Sequence, residues 1–263
     1  MPKFSEKLWN WGHLEGSHNG CTPFECKMTP EEFAREYGIP NAFIVSYGGN
    51  IQPPYGDMAK RFSCLREVKW SALGDSSTPL PEHRLGNAPD VIEAAESEKN
   101  ITGSIVDDFF SPVRVKRFTP EVLSEMKAAL NAKGLDFWCV LYSHELDTVD
   151  GLEKYLDCFD GITFWFWGCN RMTDMARDIE KLLAIAKGKP VMLGVYLWDY
   201  AQKKAMDTEI FVRQLDDCKS RLLSGGIAGA VFCSGALGDA DIEANRILKR
   251  WVAENGDVQL NGN

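Results

Sequence analysis

The chain has 263 residues, 44% of them hydrophobic and 25% charged, the composition of a globular protein able to bury a sizeable core. Its formal net charge of −9 argues against nucleic acid or an anionic membrane surface as a partner, because both select basic patches. No apolar run approaches the roughly 18–20 residues of a membrane span. The start, Met1-Pro2-Lys3-Phe4, lacks the basic-then-apolar pattern of a signal peptide, so a cytoplasmic location is expected for the chain as written, and a secreted or periplasmic one if a leader has been removed. Most of the eight cysteines fall within apolar strand-like or helix-like runs, where a free thiol behaves as a small buried hydrophobe. Cys21 and Cys26 flank a Pro-containing loop and are open to bridging in an oxidising compartment.

In chain order, apolar strand-like runs alternate with amphipathic helix-like runs. Leu8 to His13 reads as the first strand. After a long loop, Thr29-Pro30-Glu31-Glu32 opens a helix with a Thr cap, Pro at the first helical position and Glu three residues after the cap. Gly38-Ile39-Pro40 ends it, and Ala42 to Tyr47 is the second strand. Asp57 to Leu65 reads as a short helix and Glu67 to Leu73 as the third strand. A helix over Ala88 to Lys99 leads to the fourth strand, Gly103 to Asp108. A helix opened by Thr119-Pro120 runs to Ala132, and Leu135 to Tyr142 is the fifth strand. Val149 to Phe159 is helical, Gly161 to Trp167 is the sixth strand, and Thr173 to Ala186 is helical again. Val191 to Leu197 forms the seventh strand and Asp207 to Ser224 its helix. Ile227 to Cys233 is the eighth strand, Asp241 to Ala253 the last helix, and a polar, loose tail is expected from about Glu254.

Strict alternation implies a parallel sheet with crossover helices. Eight units fill nearly the whole chain, which predicts a single (β/α)8 TIM barrel over residues 1–263, with little left for a second domain. A doubly wound open sheet is the alternative, but no GxGxxG phosphate turn is present.

In a barrel the C-terminal strand ends meet on one face. The fourth strand delivers Asp107 and Asp108 there, followed by Phe109-Phe110. Charge so close to a core must be solvated or partnered, which makes these aspartates the first candidates for chemistry. Glu145 follows the fifth strand and is the candidate second carboxyl and proton donor, with Asp199 after the seventh strand as its rival. Adjacent strand residues point to opposite faces, so one of Asp107 and Asp108 is expected in the cleft and the other on a neighbouring strand end, unless the strand has already ended. Trp11, His13, Glu15, Tyr47, His144, Trp165, Trp167, Tyr196, Trp198 and Asp199 are the candidate substrate contacts. Aromatic rings suit the C–H faces of a sugar, and His and carboxylate groups suit its hydroxyls.

With acids ending strands four and five and Trp-rich ends on six and seven, the chain resembles the (β/α)8 glycoside hydrolases. Ile105-Val106-Asp107-Asp108-Phe109 is similar to the Asp-bearing fourth strand of the chitinase-like and α-galactosidase-like families. It departs from the first, which alternates acids and ends in Glu, and from the second, which continues Asp-Asp-Gly-Trp. The resemblance implies hydrolysis of an oligo- or polysaccharide by two carboxyls, without a cofactor. Other readings stay open. A metal-dependent sugar isomerase or epimerase would use His13, Glu15, His18 and a fourth-strand Asp, although no HxH or HExxH pattern is present. A non-catalytic carbohydrate-binding barrel would keep the aromatics alone. A phosphate site at Ser234 to Gly238 and a Cys233–His144 nucleophile pair are weaker candidates.

Overall fold

The computed structural model describes residues 1–260. Eight parallel strands close into a barrel: β1 (Leu8–Gly12), β2 (Asn41–Ile44), β3 (Glu67–Ser71), β4 (Ile101–Val106), β5 (Asp136–Tyr142), β6 (Gly161–Trp165), β7 (Val191–Tyr196) and β8 (Gly229–Cys233). Each pairs with its neighbours in sequence, and β1 closes the ring on β8 through Leu8 opposite Ala230 and Asn10 opposite Phe232. The strands read as unbroken apolar runs because helices cover their outer faces while other strands cover the inner. This is the expected (β/α)8 barrel.

The surrounding helices are α1 (Pro30–Tyr37), α2 (Gly56–Arg61), α3 (Ala88–Ser97), α4 (Pro112–Arg117), α5 (Pro120–Asn131), α6 (Leu152–Leu156), α7 (Met175–Ala186), α8 (Thr208–Ser224) and α9 (Glu243–Asn255). The Thr29 capping box forms as its spacing implies: Glu32 N–H donates to Thr29 Oγ1 at 3.1 Å and Thr29 N–H to Glu32 Oε2 at 3.0 Å. Such a cap is worth about 1 kcal/mol. Gly38 ends the helix in the left-handed conformation, φ 67°.

The sequence reading is corrected in two places. Between β4 and α5 the chain forms the extra helix α4, which the alternating Val113-Arg114-Val115-Lys116 pattern conceals. The tail is held as far as it is described. Asn255 lies inside α9, Lys3 bridges Gln259 antiparallel, Leu260 N–H donates to Pro2 O at 2.9 Å, and the Leu260 side chain is buried. Phe4 N–H and Ser5 N–H also donate to Val258 O at 2.8 Å and Gly256 O at 3.0 Å, so main-chain bonds and the Leu260 side chain together dock the segment. No described helix is long and apolar enough to cross a membrane.

Inside the barrel, side chains fill the lumen in layers. Near the N-terminal end Lys69 is buried, with its Nζ between the rings of Trp9 (5.4 Å) and Trp138 (5.3 Å). It donates to both Asp136 carboxylate oxygens, at 2.6 and 2.7 Å. Gly103 makes room, since a Cβ there would lie 1.7 Å from Asp136 Oδ1. Above this layer Trp165 lies across Gly194, where a Cβ would come within 2.0 Å of the indole.

Candidate functional site

The C-terminal strand ends enclose a cavity of about 770 Å³. Its floor and walls are aromatic: Trp11 from β1, Tyr142 from β5, Trp165 from β6, Tyr196 from β7, and Tyr47, Trp167 and Tyr200 from the loops beyond β2, β6 and β7. Trp165 packs edge-on against Trp11 at 5.2 Å between centroids, and Trp167 stands at the mouth, 42% exposed.

Asp107 and Asp108 both line this cavity. The alternation rule does not separate them because β4 ends at Val106 and Asp108 adopts φ 45°, in the left-handed region that Asp tolerates. Asp107 Oδ1 accepts from Asp108 N–H at 2.8 Å and so holds that turn. The Asp108 carboxylate accepts from Tyr142 OH at 2.8 Å and from Ser76 N–H at 3.0 Å, which ties it to the ends of β5 and β3. Asp107 is 5% exposed; burial, and then the neighbouring Asp108 charge, hold its carboxyl well above the usual carboxylate range. Glu145 also lines the cavity. It lies on the single turn after β5, and its Oε2 accepts from Tyr142 N–H at 2.8 Å. Burial raises its carboxyl from an ordinary 4.5 to about 7, against the pull of that N–H.

One cation is buried behind these acids. Arg114, on α4, gives its guanidinium N–H groups to three main-chain carbonyls: Gly74 at 2.9 Å, Asp75 and Asp107. It thereby ties the loop beyond β3 to the end of β4. Asp75 in turn accepts from Ser77 Oγ at 2.6 Å and Thr78 Oγ1 at 2.7 Å, and its residue lines the cavity.

Of the candidate contacts, Trp11, His13, Tyr47, His144, Trp165, Trp167 and Tyr196 line the cavity. Three lie elsewhere. Glu15 turns outward to Arg61, 2.8 Å away. Trp198 packs edge-on against Phe24 at 5.3 Å. Asp199 is buried and accepts from Cys169 N–H at 3.0 Å and Gln202 N–H at 2.9 Å, so it fixes a loop. Trp198 and Asp199 share a cause: β7 stops at Tyr196, and the chain turns into a two-residue ribbon, Trp198–Asp199 against Lys204–Ala205, where the strand's facing no longer applies.

The weaker candidates are also placed. His13 and His18 bond to each other at 2.7 Å while Glu15 is held by Arg61, so this trio does not converge as a ligand set. At the end of β8, Gly235 N–H is taken by Asn10 Oδ1 at 2.9 Å, which fills the proposed phosphate turn. Cys21 is an exposed free thiol and Cys26 a buried one, and burial raises the Cys233 thiol well above its ordinary value. Cavity residues beyond the chosen contacts are His18, Cys21, Asp75, Tyr142, Tyr200 and Lys203. Tyr142 was legible as the last residue of an apolar strand. His18 and Tyr200 sit in long loops whose paths no local pattern fixes.

No family model matches the chain, and no curated protein matches its sequence. Solved structures do share its fold. A chitinase from Bacteroides thetaiotaomicron superposes over 100% of both chains with TM-score 0.58 and 11% identity. A chitinase from Chromobacterium violaceum matches over 94% of this chain and 98% of its own, with TM-score 0.58 and 9% identity. The β-D-glucuronidase of Dictyoglomus thermophilum matches over 88% of this chain and 47% of its own, with TM-score 0.60 and 10% identity. The fold is that of the (β/α)8 glycoside hydrolases. It is not exclusive to them: the tryptophan synthase A-subunit of Pyrococcus furiosus matches over 97% of this chain and 98% of its own, with TM-score 0.50 and 16% identity.

Proposed function

We propose that the protein is a glycoside hydrolase acting on an oligo- or polysaccharide at the C-terminal face of the barrel. The observation that carries this reading is the convergence of Asp108 and Glu145, with Asp107 between strand end and turn, in one aromatic cavity. Glycoside hydrolysis needs one carboxyl that is protonated at working pH and one that is not. Glu145, raised to about 7 by burial, suits the proton donor to the leaving oxygen. Asp108, fixed by Tyr142 OH and Ser76 N–H, is the nucleophile or water-activating base. Asp107 is a positioning residue that holds the Asp108 turn. The indole and phenol rings supply apolar area for sugar C–H faces and exclude water from the reacting bond.

Two other readings keep part of the same site. A metal-dependent isomerase or epimerase draws less support, since His13, His18 and Glu15 have other partners. A binding barrel without turnover would use the rings and not the acids. The test is a panel of oligosaccharides and aryl glycosides assayed with and without EDTA. Sugar release that persists in EDTA supports the hydrolase. Activity lost to EDTA and restored by a divalent metal replaces it with the metal enzyme. Saturable sugar binding without turnover replaces it with the binding barrel.

A further inference from the structure

In the same cavity, three side chains from the loops after β1 and β7 form a hydrogen-bonded chain. Tyr200 OH is 2.6 Å from His18 Nδ1, and His18 Nε2 is 2.7 Å from His13 Nδ1. His13 and His18 are 5% and 3% exposed, and the His18 ring is stacked on Tyr47 at 5.3 Å. Burial lowers His13 from 6.5 to about 3 and His18 well below its ordinary value, so both imidazoles are neutral and carry one proton each. The far end, His13 Nε2, is buried and has no hydrogen-bond partner among the described residues.

A chain with one proton per ring can run in only two directions. If Tyr200 donates to His18, then His18 Nε2–H donates to His13 Nδ1, and His13 is left with a buried, unpartnered N–H. If His13 Nδ1–H donates to His18 Nε2, then His18 Nδ1–H donates to the Tyr200 oxygen. In that case the orphan at His13 is only a lone pair, and the Tyr200 hydrogen is free. Buried N–H groups without an acceptor are rarer than acceptors without a donor, which selects the second direction. In that direction the unspent donor is placed where it is useful, since Tyr200 is only half-buried and lines the cavity.

The geometry points to Tyr200 as an obligate hydrogen-bond donor to an oxygen of the bound sugar, with His13 and His18 as positioning residues that fix the direction of its hydroxyl. A hydroxyl locked as donor donates to a sugar hydroxyl, ether or carbonyl oxygen and rejects an ammonium, which has no lone pair, so the subsite it serves takes a hydroxyl or acylated amine and not a free amino group. The ligand half of this inference rests on the glycan reading of the cavity. The proton arrangement does not.

The experiment therefore has two arms. In the first, the full chain with nitrogen-labelled histidine is examined by NMR without ligand. Of the four histidines, His83 and His144 are assigned by His83→Gln and His144→Gln. Both remaining rings are expected to be neutral, with the proton on Nδ1 and Nε2 bare. A proton on Nε2 of either ring overturns the inference, whatever the protein hydrolyses. In the second arm, chitotriose and its fully de-N-acetylated form are titrated into wild type and Tyr200→Phe. The acetylated trimer is expected to bind wild type more tightly than the free amine does, and Tyr200→Phe to lose about tenfold for it, the ordinary worth of one such hydrogen bond. Equal binding by wild type and Tyr200→Phe, or tighter binding of the free amine, overturns the donor assignment. Failure of wild type to bind either trimer counts against the glycan reading of the cavity and the ligand half with it.

Discussion

The two ends of the barrel bury charge in opposite ways. At the N-terminal end Lys69 has a complete set of partners: both Asp136 oxygens and the faces of Trp9 and Trp138. At the C-terminal end Asp107 is as deeply buried, yet the neighbouring charge that shifts it most is another carboxylate, Asp108, and the buried cation Arg114 gives its N–H groups to main-chain carbonyls. Partnered charge costs little once formed and does no chemistry. Like charges held together in a desolvated cavity push one carboxyl toward its protonated form, which is the condition for acid–base work. On the proposed function, the same fold thus separates a structural end from a reactive one.

Substitutions can break this contrast at either end. The largest effect is expected at the reactive end: Asp108→Asn should lower kcat by about a thousandfold or more, and Glu145→Gln by about a hundredfold or more, as loss of a nucleophile or general acid does. Thermal unfolding should be nearly unchanged in both. At the structural end, Lys69→Met removes a buried cation and its charge-assisted hydrogen bonds, while Asp136 regains water because its side chain is 39% exposed. Denaturant unfolding should show a loss of about 1–3 kcal/mol with kcat retained. Gly194→Ala places a Cβ 2.0 Å from the Trp165 indole. It should cost about 1–3 kcal/mol and, because Trp165 lines the cavity floor, also raise KM.

The pH effects are smaller and have opposite signs. Glu145 donates only when protonated, so kcat should hold below its value of about 7 and fall as pH rises through it, and this limb should vanish in Glu145→Gln. His13, lowered from 6.5 to about 3, is neutral when folded but takes up a proton when unfolded. Its contribution to stability is full above about 6.5 and is lost as pH falls toward 3. His13 should contribute proton uptake on unfolding between these values, opposed by proton release from Asp107 and Glu145, whose carboxyls are raised when folded; the His13 share is read as the difference from His13→Gln.

How much of this the sequence disclosed follows from the range of each interaction. Strands and helices were legible because their signals are local: short apolar runs, the Thr29 cap, and glycines after helices. That Asp107, Asp108 and Glu145 line the cavity was legible because charge at the end of an apolar run has few structural excuses. Arg114 was not, because a buried arginine satisfied by carbonyls of Gly74, Asp75 and Asp107 looks in sequence like any solvated loop residue. Glu15 was misplaced because its partner Arg61 arrives from the next unit. Trp198 and Asp199 were misplaced because the strand ends at Tyr196, one residue short of Leu197, and the chain then turns into a separate ribbon. His18 was weighed only as a metal ligand, since its bond to Tyr200 joins the loop after β1 to the loop after β7, which only the closed barrel brings together.

The central claim is that one end of the barrel is built for chemistry and the other for stability. The most direct test measures kcat and unfolding free energy together, on one glycan substrate, for wild type, Asp108→Asn, Glu145→Gln and Lys69→Met. The account expects the two acid variants to lose turnover and keep stability, and Lys69→Met to lose stability and keep turnover. Full turnover in Asp108→Asn and Glu145→Gln, with stability falling instead, would contradict it.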